Sequence, residues 1–416
     1  MKRLLAIITL LAAVLSLAAQ QTHVKAPYIG RVSLAVNGDE ARQPILTLNG
    51  NEQLTISFDA LTPEQQRFTW RVEHCDVDWH TTDALFESEY LAAPPEGEPI
   101  ADYQESLLTA TLYTHYTFSI PSDNGTARPL LSGNYRVSVY DESNDNEPVL
   151  SACFMVVDKR AKLTLQLTAD TDIDYRREHQ QLSVTADLGA LTLINANDEV
   201  RLLCQQNRSQ HFTLQAPPPT YIIGSTLRWD HCRALIFPAG NEYRKFEMPS
   251  TRVPGMHIDR LLYDGEGYAA ALLPDQPYRD YYYDEDQNGR ALIYTERSNN
   301  ADTEADYVLT HFTLATEQLP QAEIYIDGWW ADGSDDYLMT YNPEAQAYEA
   351  DILLKQGYYS YRYLAVESRN NQTALVYNLD GNYYQTENEY TLYLYYRPVG
   401  TRYWQLIATH NTNYKL

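Results

Sequence analysis

The sequence has few basic residues: 31 Lys and Arg stand against 56 Asp and Glu, which gives a formal net charge of −25. Binding to nucleic acid or to an anionic lipid surface rewards positive charge. We therefore expect no nucleic-acid partner and no direct attachment to a membrane surface. An acidic surface of this kind is typical of a protein that stays dispersed at high concentration.

Long apolar runs are absent after the first 19 residues. Lys2 and Arg3 precede an apolar stretch from Leu4 to Leu17, and small residues follow it. This order is typical of a secretory signal peptide, which we predict to span residues 1–19. No later segment has 18 consecutive apolar residues, so no insertion of the mature chain into a membrane is predicted. The protein is expected to be exported.

Sequence motifs that diagnose common enzyme classes are missing. There is no G-x-S-x-G nucleophile elbow, no H-E-x-x-H zinc motif, no Walker loop and no G-x-G-x-x-G motif. The sequence therefore predicts no catalytic residues, no cofactor and no enzymatic activity.

Cysteine is scarce, with only Cys75, Cys153, Cys204 and Cys232. An even number of cysteines in an exported chain permits disulfides. Pairing within the predicted domains would join Cys75 to Cys153 and Cys204 to Cys232. Buried free thiols that act as small apolar side chains are an equal alternative, because connectivity cannot be deduced from sequence.

Three segments contain residue types that bind metals. In residues 74–80 (HCDVDWH) and 230–232 (DHC) the ligands are adjacent or alternate along a strand, so they would not converge on one tetrahedral ion. Residues 284–289 (DEDQNG) match the first half of a calcium loop, but Thr295 stands at the twelfth position, where a bidentate Glu is needed. We predict no metal site; an acidic turn is the favoured interpretation of residues 284–289, and calcium is the alternative.

The chain is rich in segments in which apolar and polar residues alternate with a period of two. Leu54, Ile56 and Phe58 alternate with polar residues, and the same pattern recurs near residues 68–72 and 308–314. Asn-Gly and Asp-Gly turns separate such segments, and no long stretch has helical apolar spacing. The sequence predicts an all-β protein built from serial immunoglobulin-like or early-set β-sandwich domains.

Interruptions in the alternation give the domain boundaries. The first β-sandwich domain is predicted at residues 24–158, before the charged Asp158-Lys159-Arg160. A second β-domain is predicted at residues 161–297, and a polar segment then leads to an early-set-like β-sandwich domain at residues 305–416.

Ten stretches of the chain, taken in order, carry a family resemblance. They are residues 70–79 (WRVEHCDVDW), 87–91 (ESEYL), 99–103 (PIADY), 113–116 (YTHY), 131–135 (LSGNY), 154–157 (FMVV), 236–244 (IFPAGNEYR), 300–308 (NADTEADYV), 339–342 (MTYN) and 353–359 (LLKQGYY). Together they resemble the type IX secretion plug protein family over nearly the whole mature chain.

The resemblance implies an exported, non-enzymatic protein of the periplasm. Its partner would be the very large outer-membrane barrel of the translocon, whose mouth it would occlude by protein–protein contact while no substrate is in transit. The association with the outer membrane would then run through this partner. The resemblance implies structural roles for Trp70 and Trp79 as core aromatics and for Gly133 and Gly357 as turn positions.

The third predicted domain also looks like the early-set sandwiches of glycogen-binding modules. Under this alternative the protein binds carbohydrate in the cell envelope, and Trp329, Trp330 and Tyr341 stack on glycan rings. The competing interpretation is that these aromatic side chains fill or cap the sandwich. We favour the latter, since resemblance of fold does not confer a ligand.

Overall fold

The computed structural model describes residues 22–415 apart from residues 63, 95–98, 123, 144–146, 332–334 and 370–371. The predicted signal peptide, residues 1–19, lies outside the described residues. None of the helices in these ranges has the length and apolar character needed to cross a membrane. The predicted all-β fold class is confirmed, since the described chain adds only four-residue α-helices and three-residue 3₁₀ turns to its strands.

The elements follow one another in chain order. Up to residue 157 they are β1 (His23–Val24), β2 (Ile29–Val36), β3 (Ile45–Thr47), β4 (Leu54–Ala60), β5 (Phe68–Cys75), α1 (Glu87–Tyr90), β6 (Leu91–Ala92), β7 (Asp102–Glu105), β8 (Thr114–Ile120), β9 (Arg128–Pro129), β10 (Gly133–Asp141) and β11 (Leu150–Val157). Next come β12 (Lys162–Thr168), β13 (His179–Asp187), α2 (Ala196–Glu199), β14 (Val200–Gln206), β15 (Thr213–Gln215), β16 (Tyr221–Ile223), β17 (Thr226–Trp229) and β18 (Ile236–Pro238). The remainder are β19 (Arg244–Glu247), β20 (Ile258–Tyr263), β21 (Tyr268–Leu272), β22 (Ala291–Ile293), α3 (Ala301–Glu304), β23 (Tyr307–Leu314), β24 (Ala322–Asp327), β25 (Leu338–Asn342), β26 (Ala347–Lys355), β27 (Gly357–Arg369), β28 (Gln372–Asn378), β29 (Glu389–Tyr396) and β30 (Gln405–Asn413).

The first sandwich consists of two sheets that enclose an apolar core. One sheet has the order β5-β10-β11-β1, with β3 parallel to the end of β11, and the other has the order β2-β4-β8-β7. The alternation in the sequence explains the packing. Leu54, Ile56 and Phe58 on β4 are fully buried, whereas the hydroxyl of Ser57 between them lies 3.1 Å from that of Thr117 on β8. A small sheet of β6 and β9 flanks this sandwich.

The second sandwich is completed by strands from the C-terminal end of the chain. One of its sheets has the order β12-β13-β17-β16, with β18 also paired to β13, and the other has the order β15-β14-β29-β30. Leu182 and Val184 on β13, Leu202 on β14, and Leu392 and Leu394 on β29 meet in its core. The chain therefore leaves this sandwich after β18 and returns to it at β29.

The third sandwich is one ten-stranded sheet that bends around a single core. Its order is β19-β27-β24-β25-β26-β23-β21-β20. The long strand β27 makes the bend: its first part pairs with β19 and β22, and its second part pairs with β24 and β28. Phe246, Phe312, Ile324 and Tyr361 come together inside.

The strand pairing departs from the predicted boundaries of the second and third domains, residues 161–297 and 305–416. Strands β19–β22 pair within the third sandwich, and β29 and β30 pair with β14 of the second. The third sandwich is thus inserted into the second. Alternation marks a strand without identifying its partner, which is why the sequence missed this crossover. The strands within residues 24–158 pair only with one another among the described residues.

The four residues with expected structural roles occupy tight positions. Trp70 and Trp79 are 3% and 5% exposed. Gly133 and Gly357 begin β10 and β27 rather than forming turns. A Cβ on Gly133 would lie 2.6 Å from Nε2 of His74, and one on Gly357 would lie 2.3 Å from a backbone oxygen of β22. Gly133 therefore leaves room for the His74 ring, and Gly357 permits the close approach of β22 to β27.

The first and second sandwiches pack sheet against sheet. Cys75 and Met155 from the first sandwich meet Tyr395, Trp404 and Leu406 from the second in an apolar cluster. Because both sheets contribute buried side chains there, this contact resembles a domain core more than a wet interdomain surface.

Candidate functional site at the junction of the three sandwiches

A buried ion pair joins the first sandwich to the third. Nζ of Lys355 on β26 lies 2.7 Å from Oδ2 of Asp59 on β4, and each side chain is 2% exposed. The Tyr307 hydroxyl donates to the same oxygen at 2.7 Å, and Nδ1 of His115 lies 2.7 Å from Oδ1. Burial raises the pKa of Asp59, but the Lys355 ammonium and the hydrogen bond with His115 outweigh it and hold that pKa below its usual value.

The local sequence explains how these groups meet. Tyr307 begins β23 and Lys355 ends β26, and the two are directly opposite in the ladder. Gly30 on β2 admits the tyrosine, because a Cβ at that position would lie 2.5 Å from the Tyr307 oxygen. The same oxygen accepts the Arg31 backbone N–H at 2.9 Å. The space left by the absent side chain of Gly30 in the first sandwich thus accommodates the large side chain of Tyr307 from the third sandwich.

A loop of the first sandwich reinforces this contact. The Asp306 carboxylate accepts the backbone N–H groups of Ala110 at 2.9 Å and Thr111 at 3.2 Å. The backbone N–H of Leu107 donates to the Thr303 carbonyl at 2.8 Å. The segment before β23 is therefore tied to the first sandwich at several points.

A tryptophan flanked by two arginines joins the second sandwich to the third. The guanidinium carbons of Arg208 and Arg290 lie 3.4 Å and 4.2 Å from the centroid of the Trp329 ring. Both arginines donate to Glu389, Arg208 from Nε at 3.2 Å and Arg290 from Nη2 at 2.5 Å. Burial lowers the pKa of Arg208 to about 10, opposed by the Glu389 charge. Arg208 also donates to the carbonyl of Ala41, so this point touches all three sandwiches.

A cavity of about 1310 Å³ opens between the three sandwiches. Its walls include β2 of the first, Arg208 of the second, and Trp329 and Leu353 of the third. A second cavity of about 430 Å³ shares Arg208 and Arg290 with it. Interdomain clefts of this size are common places for a ligand or a partner segment.

The aromatic side chains of the glycan alternative do not share one exposed platform. Trp329 is flanked by the two arginines, and its indole N–H donates to the Asn207 carbonyl at 3.1 Å. Trp330 stacks beside Phe312 in the third core. Tyr341 packs edge-on against another tyrosine of the same core. Their positions agree with packing roles, and glycan binding stays an untested alternative.

The acidic segment at residues 284–289 is held by protein groups. Nζ of Lys245 lies 2.7 Å from Oδ1 of Asp284. Asp286 accepts the backbone N–H groups of Tyr243 and Asn288. No group of three or more His, Cys, Asp and Glu side chains in the described part of the chain is arranged to hold a metal ion. These contacts favour the turn interpretation over a calcium loop.

All four cysteines are buried, which fits the alternative of thiols that act as small apolar side chains, and the two disulfide pairings stay predictions. Cys75 on β5 and Cys153 on β11 are separated by β10. Two strand spacings amount to about 9–10 Å, beyond the Cα separation of about 4.4–6.8 Å that a disulfide allows. Burial raises the pKa of Cys75 to about 12. Cys204 and Cys232 share the core of the second sandwich, so that pair lacks this geometric obstacle.

A second buried charge cluster lies in the third sandwich. The Arg244 guanidinium donates to Asp275 from Nη1 at 2.8 Å and to Asp380 from Nη2 at 2.6 Å. The hydroxyls of Tyr361 and Tyr363 donate to Asp275 at 2.7 Å and 2.8 Å. Asp380 belongs to the segment that leads back to β29. This cluster therefore anchors the return of the chain to the second sandwich.

Glu242, just before β19, is a buried carboxyl group with an unusual pKa. Its Oε1 accepts the Tyr281 hydroxyl at 2.8 Å and the Glu387 backbone N–H at 3.1 Å. Burial, and then the charge of Asp286, raise its pKa to about 8. A glutamate in an unfolded chain has a pKa of about 4.3. Between these values the folded state holds a proton that the unfolded state releases, so this group loses stabilising effect as the pH rises.

We expect Glu242→Gln to raise the melting temperature at pH 8.5 by roughly 2–4 °C, the shift that about 1 kcal/mol produces in a domain of this size. At pH 4, below both pKa values, the variant and the native protein should melt almost together, because Glu242 is then largely protonated in the folded and the unfolded state alike. Thermal melting at both pH values checks this. The exposed Glu317→Gln is the matched control and should show no such pH-dependent gain. Equal shifts of Glu242→Gln at the two pH values would contradict the prediction.

Sequence motifs gave no chemical role to the groups at the junction. Asp59, Arg208, Arg290 and Glu389 sit within or beside strands, where an isolated charge looks like an ordinary surface position. A partial signal was present in the stretches that carried the family resemblance. Residues 113–116, 300–308 and 353–359 converge at Asp59 in the structure.

Comparisons with known proteins agree with this architecture. Residues 29–158 match the family model described as the type 9 secretion system plug protein 1st domain. The crystal structure of a hypothetical protein from Parabacteroides merdae ATCC 43184 is 34% identical, has a TM-score of 0.90, and covers 95% of this chain and 99% of that one. A marsupial T cell receptor, at 7% identity over 84% of this chain and 99% of that one, has a TM-score of 0.17, which supports no structural argument.

No curated protein matches this chain. The family match covers the first sandwich, and the structural match extends over the inserted third sandwich and the returning strands as well. The chain belongs to the type 9 secretion system plug protein family.

Proposed function

We propose that this protein is a periplasmic plug that occludes the outer-membrane barrel of the type 9 secretion translocon while the barrel is not transporting substrate. The observation that carries the proposal is the locking of the three sandwiches, each of which contacts the other two through buried groups. Membership of the plug family supports the same role. Occlusion of a wide pore by protein–protein contact needs no catalysis and no cofactor.

The locking matters because a plug has to resist deformation into the pore. Small polar interfaces usually leave domains free to move relative to one another. Here Lys355 would lose its carboxylate partner if the first and third sandwiches separated, and a buried charge without its partner is strongly unfavourable. The three sandwiches therefore act as one body.

Purification from the native host tests the proposal. A tagged protein, released by gentle solubilisation of the outer membrane, should recover one very large barrel protein in near-stoichiometric amount. A deletion strain should admit antibiotics that the outer membrane normally excludes, whereas a strain lacking both plug and barrel should not. Recovery with glycans and without a barrel would contradict the proposal and favour the carbohydrate-binding alternative.

A further inference from the structure

The edge of strand β2 borders the large cleft. In its sheet β2 pairs with β4 on one side, and no strand of the described residues pairs with its other side. The Asn37 backbone N–H donates to the Gln53 carbonyl, toward β4, and the Val36 N–H points the other way, to Asp39. Antiparallel ladders alternate in this manner. The N–H and C=O groups of Val32 and Leu34 therefore point away from β4, toward the cleft.

The opposite wall of the cleft includes the end of an apolar row on the outer face of the third sandwich. Leu262, Ala269, Leu309 and Leu353 lie directly opposite one another across β20, β21, β23 and β26. The three leucines are 57%, 44% and 42% exposed, in chain order. Leu309 and Leu353 line the cleft together with residues of β2. An unpaired strand edge thus faces exposed leucines across an open space.

This row begins next to the contact between the first and third sandwiches. Tyr307 and Lys355, two residues away from Leu309 and Leu353 on the same strands, are buried against Asp59. Since residues two apart on a strand share one face, the leucines continue the surface that the first sandwich already covers. The distance between the two walls is therefore set by the Asp59 contact.

The charge of the lining favours one kind of occupant. Eight carboxylates and five cationic side chains surround the cleft. Four of these cations already have carboxylate partners, since Arg31 pairs with Glu40, Lys355 with Asp59, and both arginines beside Trp329 with Glu389. The remaining charge is negative, so an entering segment gains from basic residues.

We propose that the free edge of β2 receives an extended segment of the partner barrel, which adds a strand to the first sandwich. The segment is apolar on the face that meets Leu309 and Leu353 and carries basic residues beside it. Its main chain bonds Val32 and Leu34, as in other complexes formed by strand addition. This inference rests on the proposed plug function, because the segment belongs to the barrel.

Hydrogen exchange on the complex recovered from the outer membrane tests strand addition directly. Amide exchange in peptides covering residues 29–36 should be at least tenfold slower in the complex than in the free protein. Val32 and Leu34 should account for the change. Unchanged exchange in this strand, in a complex that does contain the barrel, would overturn the inference and leave the plug function intact.

Substitution of the apolar wall gives a second test. The double variant L309E/L353E should recover at least tenfold less barrel than the native protein, and its circular dichroism should stay native because both side chains are exposed. Val399→Glu is the matched control, since Val399 is 74% exposed on the second sandwich; it should retain the barrel. Full recovery of the barrel by the double variant would refute docking of the barrel segment in the cleft. Failure of the native protein itself to recover a barrel would instead refute the plug function.

Discussion

Replacing Lys355 with methionine is expected to lower the free energy of unfolding by about 3–5 kcal/mol, because it leaves a buried carboxylate without its cation. Asp59 is 1% exposed, and its remaining partners are His115 and the Tyr307 hydroxyl. Chemical denaturation followed by tryptophan fluorescence checks this value. Because the pair spans the first and third sandwiches, the loss should affect their association as well as their folding.

Two further variants separate the buried charge from general damage. Lys162→Met removes a lysine from an exposed position on β12 and should change stability little. Adding Asp59→Asn to Lys355→Met should recover part of the lost stability, since the double variant no longer buries an uncompensated carboxylate charge. An equal loss of unfolding free energy in Lys162→Met and Lys355→Met would show that the buried ion pair contributes no more to stability than an exposed lysine does.

The second large effect is expected at Arg244, which is 6% exposed and bridges two buried carboxylates. Arg244→Met should lower the free energy of unfolding by about 3–5 kcal/mol at pH 7, as for other broken buried pairs. Burial raises the pKa of Asp275, but the His257 imidazole, whose Nε2 lies 3.2 Å from Oδ1, and the Arg244 charge outweigh it and lower that pKa. A carboxyl group with a depressed folded pKa stabilises above its unfolded pKa and loses this effect as the pH falls. The deficit of Arg244→Met should therefore shrink in acid.

Denaturation curves at pH 7 and pH 4 measure this change. Arg244→Lys is the informative control, because it keeps the charge but loses the planar fork that serves Asp275 and Asp380 together. We expect its stability to fall between those of the native protein and Arg244→Met. A deficit of Arg244→Met that grows at pH 4 would contradict the assignment.

The strands themselves could be predicted because burial on one face imposes period two. Leu54, Ile56 and Phe58 are buried where the alternation placed them. The pairing of β29 with β14 could not be predicted in this way. Every residue of β29 is buried, so it lacks the alternation that would assign its faces. Its partner lies far back in the chain, and local pattern contains no information on that distance.

The junction was harder to predict for a related reason. Charged residues are almost never fully buried unless they are paired, so Lys355 and Asp59 look like surface residues when each is taken alone. Only the docking of two sandwiches brings the partners together. Trp329 was found as a candidate through its aromatic ring, but its arginine neighbours come from distant segments. Sequence thus identified a notable side chain and not its environment.

The insertion of the third sandwich fixes the order in which the exported chain can acquire its structure. Domains generally fold as units and begin with the N-terminal one as the chain emerges. The first sandwich has all its strands by residue 157, but the second has to wait for β29 and β30, which end at residue 413. Until then, part of the apolar packing is absent around three core residues, Leu182, Val184 and Leu202. A chain released before its last strands would therefore expose an unfinished apolar core, which is a target for the chaperones and proteases of the cell envelope.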